Sequence, residues 1–323
     1  SLLVTGVQTC ALPICYFLHK PREKGNRKKE FTMKYGVFSV SMPEYNPEDT
    51  LKVLKDLGYD GVEWRVTNMP KEKPENVPFE RRYWAYNEST IEIETIEEKA
   101  DELKALCDSY GIEIFSLTTY LTPADYEKVE PVLRAAQKMG VKKIRVFPPS
   151  YQPTDDQTPY PELMYQNKAY LKKLEALGKK YGVKIMVEIH MNNLSASPSA
   201  AYRLVEGCDP AYIGVIFDPG NMVNEGYEDY QKAFELLGPY IAHVHVKNAV
   251  IVEDGRDELG GKKWKHDQAP LWDGMADLKE LFRVMKKFGY DDTISVEDFS
   301  NESSTYDKLK ANIEYIKKLA ASV

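Results

Sequence analysis

Four stretches of this chain end alike. Each is a short run of apolar and β-branched residues that stops at one or two side chains able to bind a metal. Val183–His190 ends in Glu188 and His190, and Tyr212–Asp218 in Asp218. Ile241–Lys247 carries His243 and His245, and Thr293–Asp298 ends in Glu297 and Asp298. Two glutamates, an aspartate and one histidine make a hard, oxygen-rich donor set. That set suits Mn²⁺, Mg²⁺ or Co²⁺ better than a closed thiolate zinc site. Four protein ligands in a shell of about six leave room for two substrate oxygens, such as a hydroxyl and the adjacent carbonyl. A carboxylate at a strand end is ordinarily a helix cap or an ion-pair partner. It is the recurrence on four successive strands that points to one constellation. Within it, Asp298 reads as a cap or as a support behind the ligands, and His243 as such a support or a packed core histidine. Glu63 reads equally well as an ion-pair partner, and His266 as a solvated loop residue.

The elements that must position these residues follow from periodicity. Short runs buried on both faces are the mark of a parallel sheet. Eight are expected: 35–41, 59–65, 112–118, 141–147, 183–190, 212–218, 241–247 and 293–297. Between them lie helical segments at 50–57, 91–110, 123–139, 161–181, 197–207, 227–237, 275–288 and 303–320, several closed by a glycine such as Gly58, Gly111, Gly140 or Gly182. Eight strand–helix pairs predict an α/β chain folded as a (β/α)8 TIM barrel, with residues 33–323 as one catalytic domain. No glycine-rich dinucleotide turn follows the first strand, which argues against a doubly wound sheet. Two long polar insertions, about 66–90 after strand two and 248–273 after strand seven, are expected loops over the site. Side chains alternate along a strand, so Glu188 shares a face with His190, and His243 with His245.

Composition narrows the partners. The net charge is −7, and residues 1–32 hold six Lys/Arg against two acids, so the remainder is near −11. An acidic body lacks the basic footprint of a nucleic-acid binder. Of the four cysteines only Cys107 and Cys208 lie past residue 32, too few for a disulfide framework and in keeping with a reducing cytoplasm. Within 33–323 no uncharged apolar stretch reaches membrane-spanning length. Residues 1–18 are apolar and precede a basic run, the reverse of a secretory signal. This stretch looks like translated adaptor sequence, so residues 1–32 are expected to be a non-native, disordered extension, with Met33 as the start.

The residues Gly58-Tyr-Asp-Gly-Val-Glu63, Val187-Glu-Ile-His190, Ile216-Phe-Asp-Pro-Gly-Asn221, His243-Val-His-Val-Lys247 and Ser295-Val-Glu297 together resemble the xylose-isomerase-like barrel superfamily of sugar phosphate isomerases and epimerases. The resemblance implies Glu188, Asp218, His245 and Glu297 as ligands of one divalent cation, Mn²⁺ first and Mg²⁺ or Co²⁺ next. It implies that Glu188 and Glu297 flank the substrate and move protons between adjacent carbons through a metal-stabilised enediolate. The implied activity is that of a metal-dependent sugar isomerase or epimerase. His190 is the expected proton shuttle. Lys247, Asn221, Arg65, Arg145 and Trp272 are the expected substrate contacts.

The ketose 3-epimerases of the superfamily carry a Glu, a His and an Arg where this chain has Leu194, Asn221 and Ile251, which argues against a free-ketose 3-epimerase. The additional ligands of the multi-metal endonuclease IV relatives are not found. The Glu188-Ile-His190 pair and the two long loops also resemble the large subunit of C-glycoside deglycosidases. That resemblance implies an alternative reading: a metal-dependent lyase that cleaves oxidised 3-oxo-glycosides by elimination and works with a small β-rich partner subunit. A non-catalytic sugar-binding barrel is the third reading. The small-molecule partner expected is a sugar or an oxidised glycoside, with neither nucleic acid nor membrane, and a homo-oligomer is compatible with all three.

Overall fold

Strands that are apolar on both faces need cover on both, and alternation with helices supplies it. The computed structural model describes residues 33–151, 154 and 157–323, so the expected extension 1–32 lies outside the described residues. Eight parallel strands form a closed barrel: Lys34–Phe38, Gly61–Thr67, Glu113–Thr119, Lys143–Arg145, Lys184–Glu188, Ile213–Phe217, Ile241–Val246 and Thr293–Val296. They are numbered one to eight below. Closure is explicit in the register, because Gly36 pairs with Gly61 of strand two and with Ser295 of strand eight.

The outward faces of the strands, with Val62, Trp64 and Val215, are buried under the helices. Helix Leu278–Phe288 returns the apolar set Leu278, Leu281, Phe282, Val284 and Met285. Burying each such side chain contributes about 1.5–3 kcal/mol. The inward face is different. At its floor the Phe115 ring fills the space left by two glycines: a β-carbon on Gly36 would come within 2.5 Å of that ring, and one on Gly61 within 2.1 Å. Strands two and three slip register between Val62 and Glu63, a bulge opposite Phe115. Above that floor the lumen is lined with charge.

Three expected elements differ. Ile91–Glu92 is not helical but a short parallel strand, Ile91 beside Val66. A single tight turn, Ile93–Thr95, follows, and the helix begins only at Ala100. The β-branched Ile91 and Ile93 favour extension, and the upper end of strand two offers them a free ladder edge. The helix expected at 227–237 begins only at Tyr230, and a short helix outside the expected set, Pro219–Asn224, precedes it, capped by Asp218. The insertion after strand seven is an antiparallel hairpin, Asn248–Arg256 against Lys262–Ala269, turning at Gly260-Gly261. Its apolar residues Val250, Ile251 and Val252 are only partly buried. Among the described residues, no helix is long and apolar enough to cross a membrane.

Candidate metal centre

Strand five sets the first candidate ligand. Gly182, at φ +67°, ends the helix that precedes it, and the strand runs to Glu188. Ser195 Oγ donates to the Glu188 carbonyl at 2.6 Å, and Asn193 Oδ1 accepts from Ser195 N at 2.8 Å, so a tight polar turn holds the strand end. Asp218 is both a cap and a candidate ligand. Its Oδ1 accepts from Asn221 N at 2.8 Å, while Oδ2 lies 3.5 Å from His245 Nδ1. Gly220 is required by the approach of Lys247, whose side chain would meet a β-carbon there at 2.5 Å.

Glu188, Asp218, His245 and Glu297 each offer one ligand atom, all within 4.8 Å of one another, and all four residues are buried. His245 Nδ1 is 3.2 Å from Glu188 Oε1, yet it is a buried nitrogen with no hydrogen-bond partner. A lone nitrogen among three carboxylates is a donor set awaiting a cation. Charge agrees. With His245 neutral, as ligation requires, the four carboxylates Glu63, Glu188, Asp218 and Glu297 pair with two cations among the described residues, Arg145 and Lys247, and the two uncancelled negative charges match one divalent cation. The residues therefore fit the metal that the sequence implies.

Arg145 spans the opposite side. Its Nη1 pairs with Glu188 Oε2, and Nε and Nη2 each donate to the Thr119 carbonyl at 3.2 Å. Its guanidinium also lies over the rings of Phe38, Tyr120 and Phe147. Burial raises the Glu188 pKa, but Arg145 and His245 outweigh it and hold the carboxyl well below the usual range. Glu297 goes the other way: burial and the charges of Glu188 and Asp218 push it up against the pull of Lys247. Lys247 Nζ donates to Glu297 Oε2 at 2.7 Å and to Asn221 Oδ1 at 3.0 Å. Asn221 Nδ2 reaches Asp218 Oδ2 at 2.8 Å and Glu188 Oε1 at 3.1 Å.

His190 stands at the mouth. Its ring packs edge-on against Phe147 and its Nδ1 contacts the Met191 carbonyl at 2.8 Å. A ring nitrogen facing a carbonyl carries the hydrogen, which leaves Nε2 as an acceptor. Burial lowers the pKa of this ring, aided by Lys247 and Arg145 against Glu188, so the imidazole is neutral near pH 7.

The structure brings Glu188, Asp218, His245, Glu297, Lys247, Asn221 and Arg145 into one network, with His190 beside it. Arg65 sits a layer away, bonded to Thr90 Oγ1 and to the Trp84 carbonyl at 3.3 Å, over the Tyr120 ring. Trp272 is not brought in. It is half exposed, with its ring against Tyr315 of the last helix. Asp298 is no helix cap: it accepts from Ser300 N and from Asn312 Nδ2, both at 2.8 Å. His243 is a buried support, as expected. His266 is exposed on the hairpin, with Nδ1 2.9 Å from Asn224 Oδ1. Sequence reasoning missed Thr118, Tyr120 and Phe299. The only signal for the first was its position in the polar end of strand three, and aromatic residues in loops carry none.

Both insertions touch the rim. Trp84 packs on Phe299 at 4.8 Å between ring centroids, and Lys247 Nζ lies 4.8 Å from the Phe299 ring. The hairpin reaches the helix behind Asp218 through His266 and Asn224.

A family model described as a xylose isomerase-like TIM barrel matches residues 51–319. The inosose dehydratase of Lacticaseibacillus casei strain BL23 is 27% identical over 297 residues, covering 83% of this chain and 95% of that protein. Solved structures with the same fold include the 3-keto-D-glucoside 4-epimerase of E. coli, with a TM-score of 0.64 at 16% identity, covering 89% of this chain and all of that one. Another is the IOLI protein with a bound zinc atom, with a TM-score of 0.63 at 16% identity, covering 90% and 99%.

Proposed function

The chain belongs to the xylose isomerase-like TIM-barrel family, and on that premise we propose that it removes a proton α to the carbonyl of a polyhydroxy ketone, a cyclitol or sugar, and then expels water from the neighbouring carbon. The observation that carries this reading is the buried four-ligand cluster with the unpartnered His245 Nδ1 at its centre. A divalent cation held by Glu188, Asp218, His245 and Glu297, Mn²⁺ first, would act as a Lewis acid toward the carbonyl and the adjacent hydroxyl. The likeness to inosose dehydratase over nearly its whole length supports elimination as the outcome.

The chain's own residues divide the proton work. Glu188, held ionised by Arg145, is a ligand and a poor base. His190 Nε2 is a neutral acceptor at the mouth and takes the proton from carbon. The same imidazolium then hands that proton to the departing hydroxyl. The C–H and C–O bonds break, a carbon–carbon double bond forms, and water leaves. Asn221 fixes Glu188 and Asp218, while Lys247 fixes Glu297 and has a third hydrogen to donate toward a substrate oxygen. Trp84 and Phe299 form an apolar edge over Lys247 that limits water.

A second reading keeps the first step and ends in isomerisation or epimerisation. It is favoured by Glu297, a second glutamate in the cluster beside Glu188 and so a second group able to return a proton to carbon. One experiment decides. The Mn²⁺-loaded protein is incubated in D₂O with inosose, ketoses, aldoses and 3-oxo-glycosides, the cation is removed, and proton spectra are recorded. Deuterium beside the carbonyl with a new alkene signal is the expected result. Deuterium with an epimer and no alkene selects the second reading. No exchange in any compound, with cation bound, overturns both.

A further inference from the structure

The lumen holds a second cluster beneath the cation site, Glu63, His243 and His245, all buried and within 4.8 Å by their ligand atoms. We propose that Glu63 is a positioning residue that dictates which nitrogen of His245 faces the cation. The inference rests on the cation site above and not on the reaction.

The argument is one of donors and acceptors along a column in the barrel. At the lower end Lys143 Nζ, which can only donate, lies 3.2 Å from Thr293 Oγ1. Thr293 accepts there, and its own hydrogen is free to go to His243 Nδ1, 3.0 Å away. His243 Nε2 points at Glu63 Oε2 at 3.0 Å, a carboxylate that can only accept, so it carries the hydrogen and shares it with Ser295 Oγ at 2.9 Å. Thr118 Oγ1 donates to Glu63 Oε1. Glu63, an ionised acceptor with no hydrogen to give, is thus approached by donors on every side. His245 Nε2 lies 3.1 Å from Oε2 and 3.3 Å from Oε1. His245 Nε2 therefore keeps its hydrogen, and when the ring gives up a proton to bind a cation it is the Nδ1 lone pair that is offered. Phe38 stacks on the face of the His245 ring at 5.7 Å between centroids. Asp292, 2.7 Å from Lys143 Nζ, holds the donor end in place.

Glu63 thus fixes the hydrogen positions on both histidines that it bridges. Carboxylate partners of this kind orient ligating histidines and typically change metal affinity 10–100-fold when removed. The Glu63→Gln substitution keeps size but offers an amide NH₂, which pairs with an unprotonated Nε2 and drives the hydrogen to Nδ1, where ligation is blocked.

The test uses the whole protein. Mn²⁺ affinity is measured by calorimetry for wild type, Glu63→Gln and Glu63→Asp, and ¹⁵N-histidine spectra are recorded with Zn²⁺, a diamagnetic probe. The expected results are one Mn²⁺ per wild-type chain, binding weakened about 10–100-fold in Glu63→Gln, and substantial recovery in Glu63→Asp, whose carboxylate still only accepts. The His245 ring proton is expected on Nε2 in the Zn²⁺-loaded wild type, a readout that needs no variant to fold. A ring proton on Nδ1 overturns the inference, as does Glu63→Gln binding Mn²⁺ as tightly as wild type. Two cations per chain also overturn it, because Glu63 would then be a ligand. Absence of any cation in wild type overturns the proposed function together with it, whereas a normal cation site insensitive to Glu63 overturns this inference alone.

Discussion

Strands five to eight and strands one to four face the same lumen with different chemistry. The first group delivers the lone pairs: Glu188, Asp218, His245 and Glu297 all come from the ends of those strands. The second group delivers what keeps those lone pairs ionised and aimed: Arg145 on Glu188, Glu63 on His245, Thr118 on Glu63, and the Phe38 face on the imidazole. A buried carboxylate left alone would take up a proton rather than bind a cation. One half of the barrel is therefore unusable without the other, although only one half carries a recognisable ligand pattern.

That division can be attacked at each level. On the ligand side the largest effect is expected from Glu188→Gln and from His190→Ala. Turnover, followed by deuterium exchange in D₂O, should fall by about 10²–10⁴-fold in each, and only Glu188→Gln should also weaken Mn²⁺ binding. On the supporting side, Arg145→Met strands Glu188 in the interior. The expected cost is about 3–5 kcal/mol of stability, read by urea denaturation of the cation-free protein and partly restored by Mn²⁺. If it unfolds no more easily than wild type, Arg145 is not the counter-charge described here.

A third effect is a pH dependence shared by both halves. Burial pulls the pKa of His245 down, but the carboxylates of Glu63 and Glu188 overcome it and hold the ring well above its usual value. A raised pKa contributes stability that is complete below the unfolded value of about 6.5 and is lost as pH rises through the folded one. The melting temperature of the chelated protein should therefore fall as pH rises past neutrality. Mn²⁺ affinity should rise over the same span, since the ring must shed a proton to ligate. A pH-independent affinity would remove His245 from the ligand set. The smallest effect is expected from Trp272→Ala: about 0.5–1.5 kcal/mol of stability from the lost contact with Tyr315, and an unchanged KM.

Much of the architecture was legible because it depends on local pattern. Runs such as Ile213–Phe217, apolar on both faces, allow little besides a covered parallel strand, and Gly182 or Gly289 in left-handed backbone allows little besides a helix end. The elements that went astray were decided by neighbours. Ile91–Glu92 is extended because strand two offers a pairing edge. Residues 248–269 form a hairpin because the two halves of the insertion pair with each other, and Asn248 ties its base to Leu271 and Ala276.

The site divides in the same way. The amino-acid sequence alone determined the types of the candidate ligands and their places at the ends of successive strands, because a strand's alternation and its end are local properties. It could not determine that Arg145 would be Glu188's counter-charge, that Glu63 would bridge two histidines 180 and 182 residues away, or that Trp272 would turn from the site to Tyr315. Those outcomes were left to closure of the barrel, which brings strand one against strand eight and makes distant side chains share one buried, low-dielectric volume where every charge and hydrogen must find its partner.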